Sequence, residues 1–331
     1  MMNDFSTASK VSERRLQLEK RSQFLQRLRA FFYQRQVLEV DTPMLSQGAT
    51  PDVHLRSLSS WLQVPGERER QEYFWHTSPE YPMKRLLCEG SGDIFYLGKV
   101  FRDGDLSPRH QIEFTMLEWY RVGFSLQELI DEVMELLNQL LPELREVQQL
   151  SYRQAFAEFA GVEDIFHASA EQCRACLQRH KVPEIVGVDE NDKTLWEQLI
   201  LTEVIEPQLG QGVITVLKDF PARDAALALI DPQNPEVAER FEVFVDAMEL
   251  ANGYHELADA GLYRQRFEES LAQRAQLGLP QVPLDQKLLQ TLTEKPLPDC
   301  CGVALGVDRL LMLQQGERQI EAVIPFGVRQ A

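Results

Sequence analysis

Three stretches of the chain concentrate residue types that do chemistry. In FRDGDLSPRHQIEFTMLEWY, Phe101 to Tyr120, Arg102 closes one apolar run, Arg109 and His110 lie in the polar stretch after it, and Phe114 starts the next run. A hairpin of this kind could clamp a nucleotide, because arginine makes charge-assisted bonds to phosphate and an aromatic on the return strand stacks on a base. A solvated hairpin with surface charges has the same composition, and the segment alone does not separate the two. In FEVFVDAMELANGYHEL, a two-residue turn at Asp246 and Ala247 pairs Val245 with Met248, Phe244 with Glu249 and Glu242 with Ala251. Glu242 and Glu249 then lie diagonally on one face. Two such carboxylates repel unless a cation sits between them; Mg2+ bridging to phosphate oxygens is one reading, and two solvated acids is the other. Asn252, Tyr254 and Glu256 have the opposite parity to Glu249, so a bulge near Gly253 is needed to aim them at the same face. GVALGVDRLLML, Gly302 to Leu313, is a strand and turn entering a helix with Arg309 near its start; its glycines lack the spacing of a dinucleotide fingerprint.

These segments must be held by a scaffold. From Val11 to Gln36, Leu18, Phe24, Leu25, Leu28, Phe31 and Phe32 recur at helical spacing, and the Lys/Arg run from Lys10 to Arg35 is most simply the solvated face of that helix. VLEVDTPML alternates as a strand and stops at Pro43. Residues 47–70 read as hairpin or loop, and YFWHTSPEY as a strand followed by a proline-initiated turn. IFYLGKVFR and FTMLEWYRV form the arms of an antiparallel hairpin, and Ser125 with Glu128 is a capping box opening a helix. Residues of about 125–210 read as a helical insertion. Strands joined by hairpins rather than alternating with helices predict an α+β fold around an antiparallel sheet flanked by helices.

Composition sets the outer bounds. With 331 residues and 44% hydrophobic ones the chain builds a sizeable core, as a single domain with an insertion. No run is long and apolar enough for a membrane span, and MMNDFSTASK lacks a signal core, which predicts a cytoplasmic protein. Five cysteines make no disulfide framework, and a zinc site at Cys173, Cys176 and His180 lacks a fourth ligand nearby. The balance of 34 basic and 51 acidic residues, 34 − 51 = −17, disfavours a non-specific grip on nucleic acid.

Taken together and in this order, the segments resemble the three signature motifs of class II aminoacyl-tRNA synthetases: the first helix with VLEVDTPML, then FRDGD…RHQIEFTMLEWY, then GVALGVDRLLML. TSPEYPMKRLL, EFTMLEWY and ELANGYHEL resemble the lysyl branch. Only 42 residues precede Pro43, which leaves no room for the anticodon-binding domain of that branch. A lysyl-type core without it is similar to the branch of lysine ligases that activate (R)-β-lysine and transfer it to a lysine of elongation factor P. Ser78 stands where the tRNA enzymes have Ala, and Ala304 stands at the middle Gly of their third motif.

The resemblance implies ATP and Mg2+ as cofactors, (R)-β-lysine or lysine as substrate, elongation factor P as acceptor, and a homodimer; it argues against tRNA as the acceptor. By the same resemblance Arg102 holds the α-phosphate and the amino-acid carboxylate, and Phe114 stacks on adenine. His110 and Arg309 hold the distal phosphates, with Arg102 and Arg309 catalytic, and Glu242 and Glu249 position Mg2+. Glu80 and Glu118 bind the nearer amino group, Tyr120 and Glu256 the far ammonium, and Ser78, Asn252, Tyr254 and Ala304 line the pocket. The family's motif 2 glutamate is replaced by Gly104, so either Asp105 reaches the same partner or that contact is lost, and Gln111 and Ile112 replace the usual Asn-Pro. Rival expectations are a compact lysyl-tRNA synthetase and a non-catalytic regulatory paralogue.

Overall fold

The computed structural model describes residues 4–144 and 146–331, with side chains from Glu13 onward. The first three residues of the segment read for a leader, and the side chains of Lys10 and Val11, lie outside the described residues. In chain order the elements are α1 (Asp4–Gln34), β1 (Leu38–Glu39), β2 (Leu45–Ser46), β3 (Ser59–Leu62), β4 (Gln71–Trp75), α2 (Glu80–Cys88), β5 (Ile94–Phe101) and β6 (Glu113–Val122). There follow α3 (Leu126–Leu140), β7 (Val147–Ser151), α4 (Tyr152–Ala155), α5 (Ala170–Arg179), α6 (Lys193–Ile200), β8 (Ile214–Pro221), β9 (Val237–Val245) and β10 (Met248–His255). The chain closes with α7 (Ala260–Gln276), α8 (Gln286–Glu294), β11 (Cys300–Gly306) and α9 (Val307–Gln315). None of the described helices is long and apolar enough to cross a membrane.

Contacts group the chain into two compact units, one of Met1–Gly123, Ala258–Cys300 and Ala304–Ala331, the other of Phe124–Leu257 and Cys301–Val303. In the first unit α1 buries Phe24, Leu28, Phe31 and Phe32, four of the six residues its spacing selected, while Leu18 is exposed. Phe32 stacks on Phe95 of β5 with ring centroids 4.7 Å apart and meets Trp119 of β6 edge-on at 5.1 Å. The solvated reading of the basic run fails at Arg21, which is buried. β5 and β6 pair antiparallel from Ile94↔Tyr120 to Phe101↔Glu113, as the hairpin reading requires. β1 pairs parallel with β5 and is only two residues long, shorter than the alternation of VLEVDTPML predicts. A small second sheet runs β2-β4-β3.

The second unit carries the strand order β10-β9-β8-β7, antiparallel except for the parallel pairing of β7 with β8. Ser125 caps α3 by the expected box: its hydroxyl accepts from Glu128 N–H, and the Glu128 carboxylate accepts from Ser125 N–H at 2.8 Å. The segment read as a helical insertion is interrupted by β7, a polar strand whose sequence VQQLS gives little alternating signal. After β7 the helices pack Phe156, Trp196, Ile200 and Ile205 against Leu217 and Phe244 of the strands.

The β9–β10 hairpin settles the parity problem, though not at the residue expected. Asp246 and Ala247 form the turn, both with positive φ (49° and 55°), which matches the twist of the flanking strands. The register follows Met248↔Val245 and Glu249↔Phe244, then slips between Glu249 and Ala251 so that Ala251 pairs with Val243 and Asn252 with Glu242. The bulge therefore falls at Leu250, not near Gly253, and Glu242 faces Asn252 rather than Ala251. One extra residue restores the alternation on the far side. Arg240, Glu242, Glu249, Asn252 and Tyr254 consequently share one face of the pair. Gly253 has another reason to be glycine. It lies opposite Phe241, and a Cβ there would run into that buried ring and come to 3.0 Å from Val303. Gly253→Ala is therefore expected to lower unfolding stability by about 1–3 kcal/mol, read from the urea midpoint; an unchanged midpoint contradicts this account of the hairpin.

Candidate active site

The first unit brings together the residues drawn from β5, β6, α2 and α9. Strand alternation sets the face: Phe114, Glu118 and Tyr120 point to one side of β6, and Thr115, Leu117 and Trp119 to the side that packs against α1. The Arg102 guanidinium lies 5.1 Å from the centre of the Phe114 ring, and its buried Nε has no hydrogen-bond partner among the described residues. A buried guanidinium donor of that kind fits a phosphate or carboxylate oxygen. Arg309, in the first turn of α9, meets His110 through Nη2 and the His110 Nε2, while Ser107 Oγ holds the other ring nitrogen at 2.7 Å. Arg102, His110, Phe114 and Arg309 thus all belong to this unit.

Between Arg102 and His110 the chain turns at Gly104, whose φ of +87° is open to glycine and costly for most other residues. Asp103, not Asp105, is the acid this turn holds: its carboxylate accepts from Arg56 Nε at 2.8 Å, and its N–H donates to the Arg56 carbonyl. Gln111 is buried, and its side-chain oxygen accepts from Val328 N–H at 3.0 Å, so the replacement of the usual Asn anchors the carboxyl-terminal segment.

At the amino end of α2 the acids cluster. Glu118 is buried, with Ser78 Oγ donating to Oε2 at 2.7 Å and Tyr120 OH donating to Oε1 at 2.8 Å. Burial, then the charge of Glu80, pushes the Glu118 carboxyl up to about 8, against the pull of Ser78, Tyr120 and Lys84. Lys84, fully buried one helical turn after Glu80, donates to Glu80 Oε1 at 2.6 Å and to Tyr263 OH at 2.8 Å. Lys84 is not among the site residues expected from the sequence, although its i,i+4 spacing from Glu80 is legible there. A cavity of about 280 Å³ adjoins this cluster, lined by Ser78, Glu80, Thr50, Tyr81, Trp75 and Asp285.

In the second unit, Glu242 and Glu249 share the hairpin face with Asn252 and Tyr254. Arg240, also missed, lies two residues before Glu242 and therefore on its face; Nη2 donates to Glu242 Oε1 at 2.5 Å and Nη1 to the Asp224 carbonyl at 2.8 Å. Burial pushes the Glu242 carboxyl up and Arg240 opposes it, while Glu249 and Glu206 add to the rise. Glu206 is itself pushed up, by burial and then by Glu249. The oxygen donors of Glu242 and Glu249 fit Mg2+, which takes one or two carboxylates with substrate phosphates completing its shell. Among the described residues no group of three or more metal-type side chains closes a site on its own. The buried Oδ1 of Asn252 has no partner among the described residues. Glu256 is buried at the end of this hairpin, and Ala304 belongs to β11 in the first unit.

Four of the five cysteines are buried, and Cys88 is half-buried. Cys173 and Cys176 are buried, and Cys176 Sγ donates to the Ala160 carbonyl at 3.3 Å. Cys301 Sγ does the same toward the Phe124 carbonyl at 3.1 Å.

Fold and residues together define a class II synthetase-type catalytic core, and the chain belongs to that family: the model of tRNA synthetases class II (D, K and N) matches residues 5–330. Within the family it is similar to a protein of Klebsiella pneumoniae (strain 342), 44% identical over 314 residues that span 95% of each chain. A protein of Salmonella gallinarum (strain 287/91 / NCTC 13346) is 43% identical over the same 95% of both. Each of these relatives is named elongation factor P–(R)-β-lysine ligase.

The Glu118 shift has a pH signature. Its folded value of about 8 lies above the unfolded value near 4.3, so between those two the native state holds a proton that the unfolded chain has lost. Stability is then expected to fall as pH rises through that window and to level off above it. Glu118→Gln should flatten the fall, measured as the thermal midpoint from pH 5 to pH 8; parallel curves for the two proteins contradict the shift.

Proposed function

We propose that the protein is an ATP-dependent ligase that activates (R)-β-lysine as an aminoacyl-adenylate and transfers it to a lysine side chain of elongation factor P. The observation that carries the reading is Glu118, a carboxyl buried beside Glu80 and held by two hydroxyls, Ser78 and Tyr120. Such a group gains most from a cationic ligand, and lysine-type substrates bring two ammonium groups. The names of the relatives, alike over 95% of the chain, support the same substrate and acceptor.

In the first step the amino-acid carboxylate attacks the α-phosphorus of ATP. A carboxyl O–P bond forms, the bond to the β-phosphate bridging oxygen breaks, and pyrophosphate leaves with its electron pair. Arg102 holds the attacking carboxylate and the α-phosphate and stabilises the charge that builds on the phosphoryl oxygens. Phe114 stacks on the base, while His110 and Arg309 take the distal phosphates and Asp105 lies on the same turn. Glu242 and Glu249 would hold Mg2+, which when bound neutralises phosphate charge. Glu80 and Glu118 receive the nearer amino group. Tyr120 and Glu256 receive the far ammonium, with Ser78, Asn252, Tyr254 and Ala304 shaping the pocket. In the second step the neutral acceptor amine attacks the adenylate carbonyl, an amide forms, and AMP leaves. Positioning supplies much of the rate here, because the leaving group is already installed.

We propose further that the two units act as one catalytic domain, that the chain works as a cytoplasmic homodimer through its first motif, and that tRNA is not the acceptor. ATP–pyrophosphate exchange with (R)-β-lysine and with α-lysine, followed by labelled transfer to elongation factor P or to tRNA, tests the reading. Exchange with neither isomer would sink it, and transfer to tRNA alone would replace it with a compact tRNA synthetase. Arg102→Ala and Glu249→Gln are each expected to lower exchange by about 100-fold or more with the fold intact by circular dichroism; wild-type rates would refute their roles.

A further inference from the structure

Behind the nucleotide residues lies a closed, buried polar ring that the reaction does not use. Arg21 of α1 donates from Nη1 to Asp308 Oδ1 at 2.6 Å and from Nη2 to Thr115 Oγ1 at 2.8 Å. Thr115 N–H donates to Asp308 Oδ2 at 2.7 Å, which completes the ring, and Arg21 Nη1 also reaches the Val323 carbonyl at 3.2 Å. Arg21, Thr115 and Asp308 are 8%, 5% and 2% exposed. Each of the two side-chain partners of Arg21 is the sequence neighbour of a proposed nucleotide residue: Thr115 follows Phe114, and Asp308 precedes Arg309.

A buried ion pair of this kind is poor at adding stability, since well-packed apolar side chains of similar volume do as well or better. What it supplies is direction. Asp308 sits in the first turn of α9, where a carboxylate suits the helix dipole, and its two oxygens are committed to different elements, α1 and β6. The backbone amide of Thr115 is fixed by that carboxylate, and strand alternation turns Phe114 to the opposite side of β6. The start of α9, and with it Arg309, is thereby registered against Phe114.

We propose that Arg21 and Asp308 are positioning residues for ATP: the pair sets Phe114 and Arg309 at a fixed separation from one another. This rests on the reading that Phe114 and Arg309 hold the nucleotide. The amino-acid end is held separately, by Lys84 and Tyr263 on Glu80 and by Ser78 and Tyr120 on Glu118. Loosening the ring therefore affects ATP and leaves the amino acid.

The test uses the full chain as wild type, Asp308→Asn, Arg21→Lys, and the apolar double variant Arg21→Met with Asp308→Leu. ATP affinity is measured by calorimetry, KM for ATP and for the amino acid by pyrophosphate exchange, and stability by urea unfolding. Asp308→Asn is expected to raise Kd and KM for ATP by about tenfold to a hundredfold while KM for the amino acid changes by less than about twofold. Arg21→Lys, which keeps the charge and one contact, falls between Asp308→Asn and wild type. The double variant regains the wild-type unfolding midpoint and keeps the ATP defect. Recovery of ATP affinity together with stability in the double variant overturns the proposal, because packing alone would then suffice; so does an equal loss for both substrates. Wild-type protein that binds no ATP in the calorimeter overturns the underlying reading, and the inference with it.

Discussion

Side chains alternate across a strand, and the groupings on β6 and on the β9–β10 hairpin are subject to that period of two. In β6 the period runs unbroken, so Phe114, Glu118 and Tyr120 fall on one face while Thr115 and Trp119 fall on the other against α1. One strand thereby carries an aromatic and a buried acid with its hydroxyl partner on one face, and the residues that pack against α1 on the other. In β10 the same constraint would split Glu249 from Asn252 and Tyr254, and it is broken once, at Leu250. A bulge leaves the ladder locally unpaired, and its persistence beside a tight turn is what unites five polar side chains on one surface.

Burying those acids creates the second constraint, since an isolated carboxylate is held from ionising by the low polarity around it. Each unit meets it with a resident cation on one acid. Lys84 sits on Glu80 in the first, and Arg240 on Glu242 in the second. Glu118 is answered differently, by two neutral hydroxyls whose donated bonds favour the ionised form but do not outweigh burial and the charge of Glu80, so its carboxyl stays high. A cation arriving there meets an acid whose ionisation it promotes, whereas one arriving at Glu80 competes with Lys84. The two acids are thus unequal partners, and the serine at position 78 acts on the one that is more easily changed.

The legible parts of the molecule were those with local causes. The capping box at Ser125, the buried spacing of α1 and the β5–β6 hairpin follow from residues within a few positions of one another; the box and the hairpin took the expected form, and α1 did so at four of six positions. The hairpin register was legible as far as Glu249, where the turn dictates it, and lost at Leu250, because a bulge is decided by what the two strands pack against on both faces. β7 was missed for a related reason: VQQLS carries too little alternation to announce a strand, and its pairing with β8 supplies the rest. The candidate site residues named from the sequence all lie within a motif. Lys84 and Arg240 were passed over although each stands at the spacing, four on a helix and two on a strand, that puts it beside an acid already named.

Arg21 shows why sequence alone reads some polar residues wrongly. It lies in a run of lysines and arginines on an amphipathic helix, where the sound default is a solvated face. What removes it from solvent is a partner 287 residues away, Asp308, and a third residue on β6. Neither neighbour is visible from the helix. The same distance gives the contact its mechanical value: a bond between neighbours on one helix only stiffens that helix, whereas this ring ties α1, β6 and α9 at one point. Each of the latter two elements then needs only one further residue of chain, Phe114 or Arg309, to present a side chain on its other side. On the reading proposed above, the register of Phe114 against Arg309 thus rests on a contact made on the opposite face of β6, where two hydrogen bonds from Arg21 and one to Asp308 fix direction as apolar contacts do not.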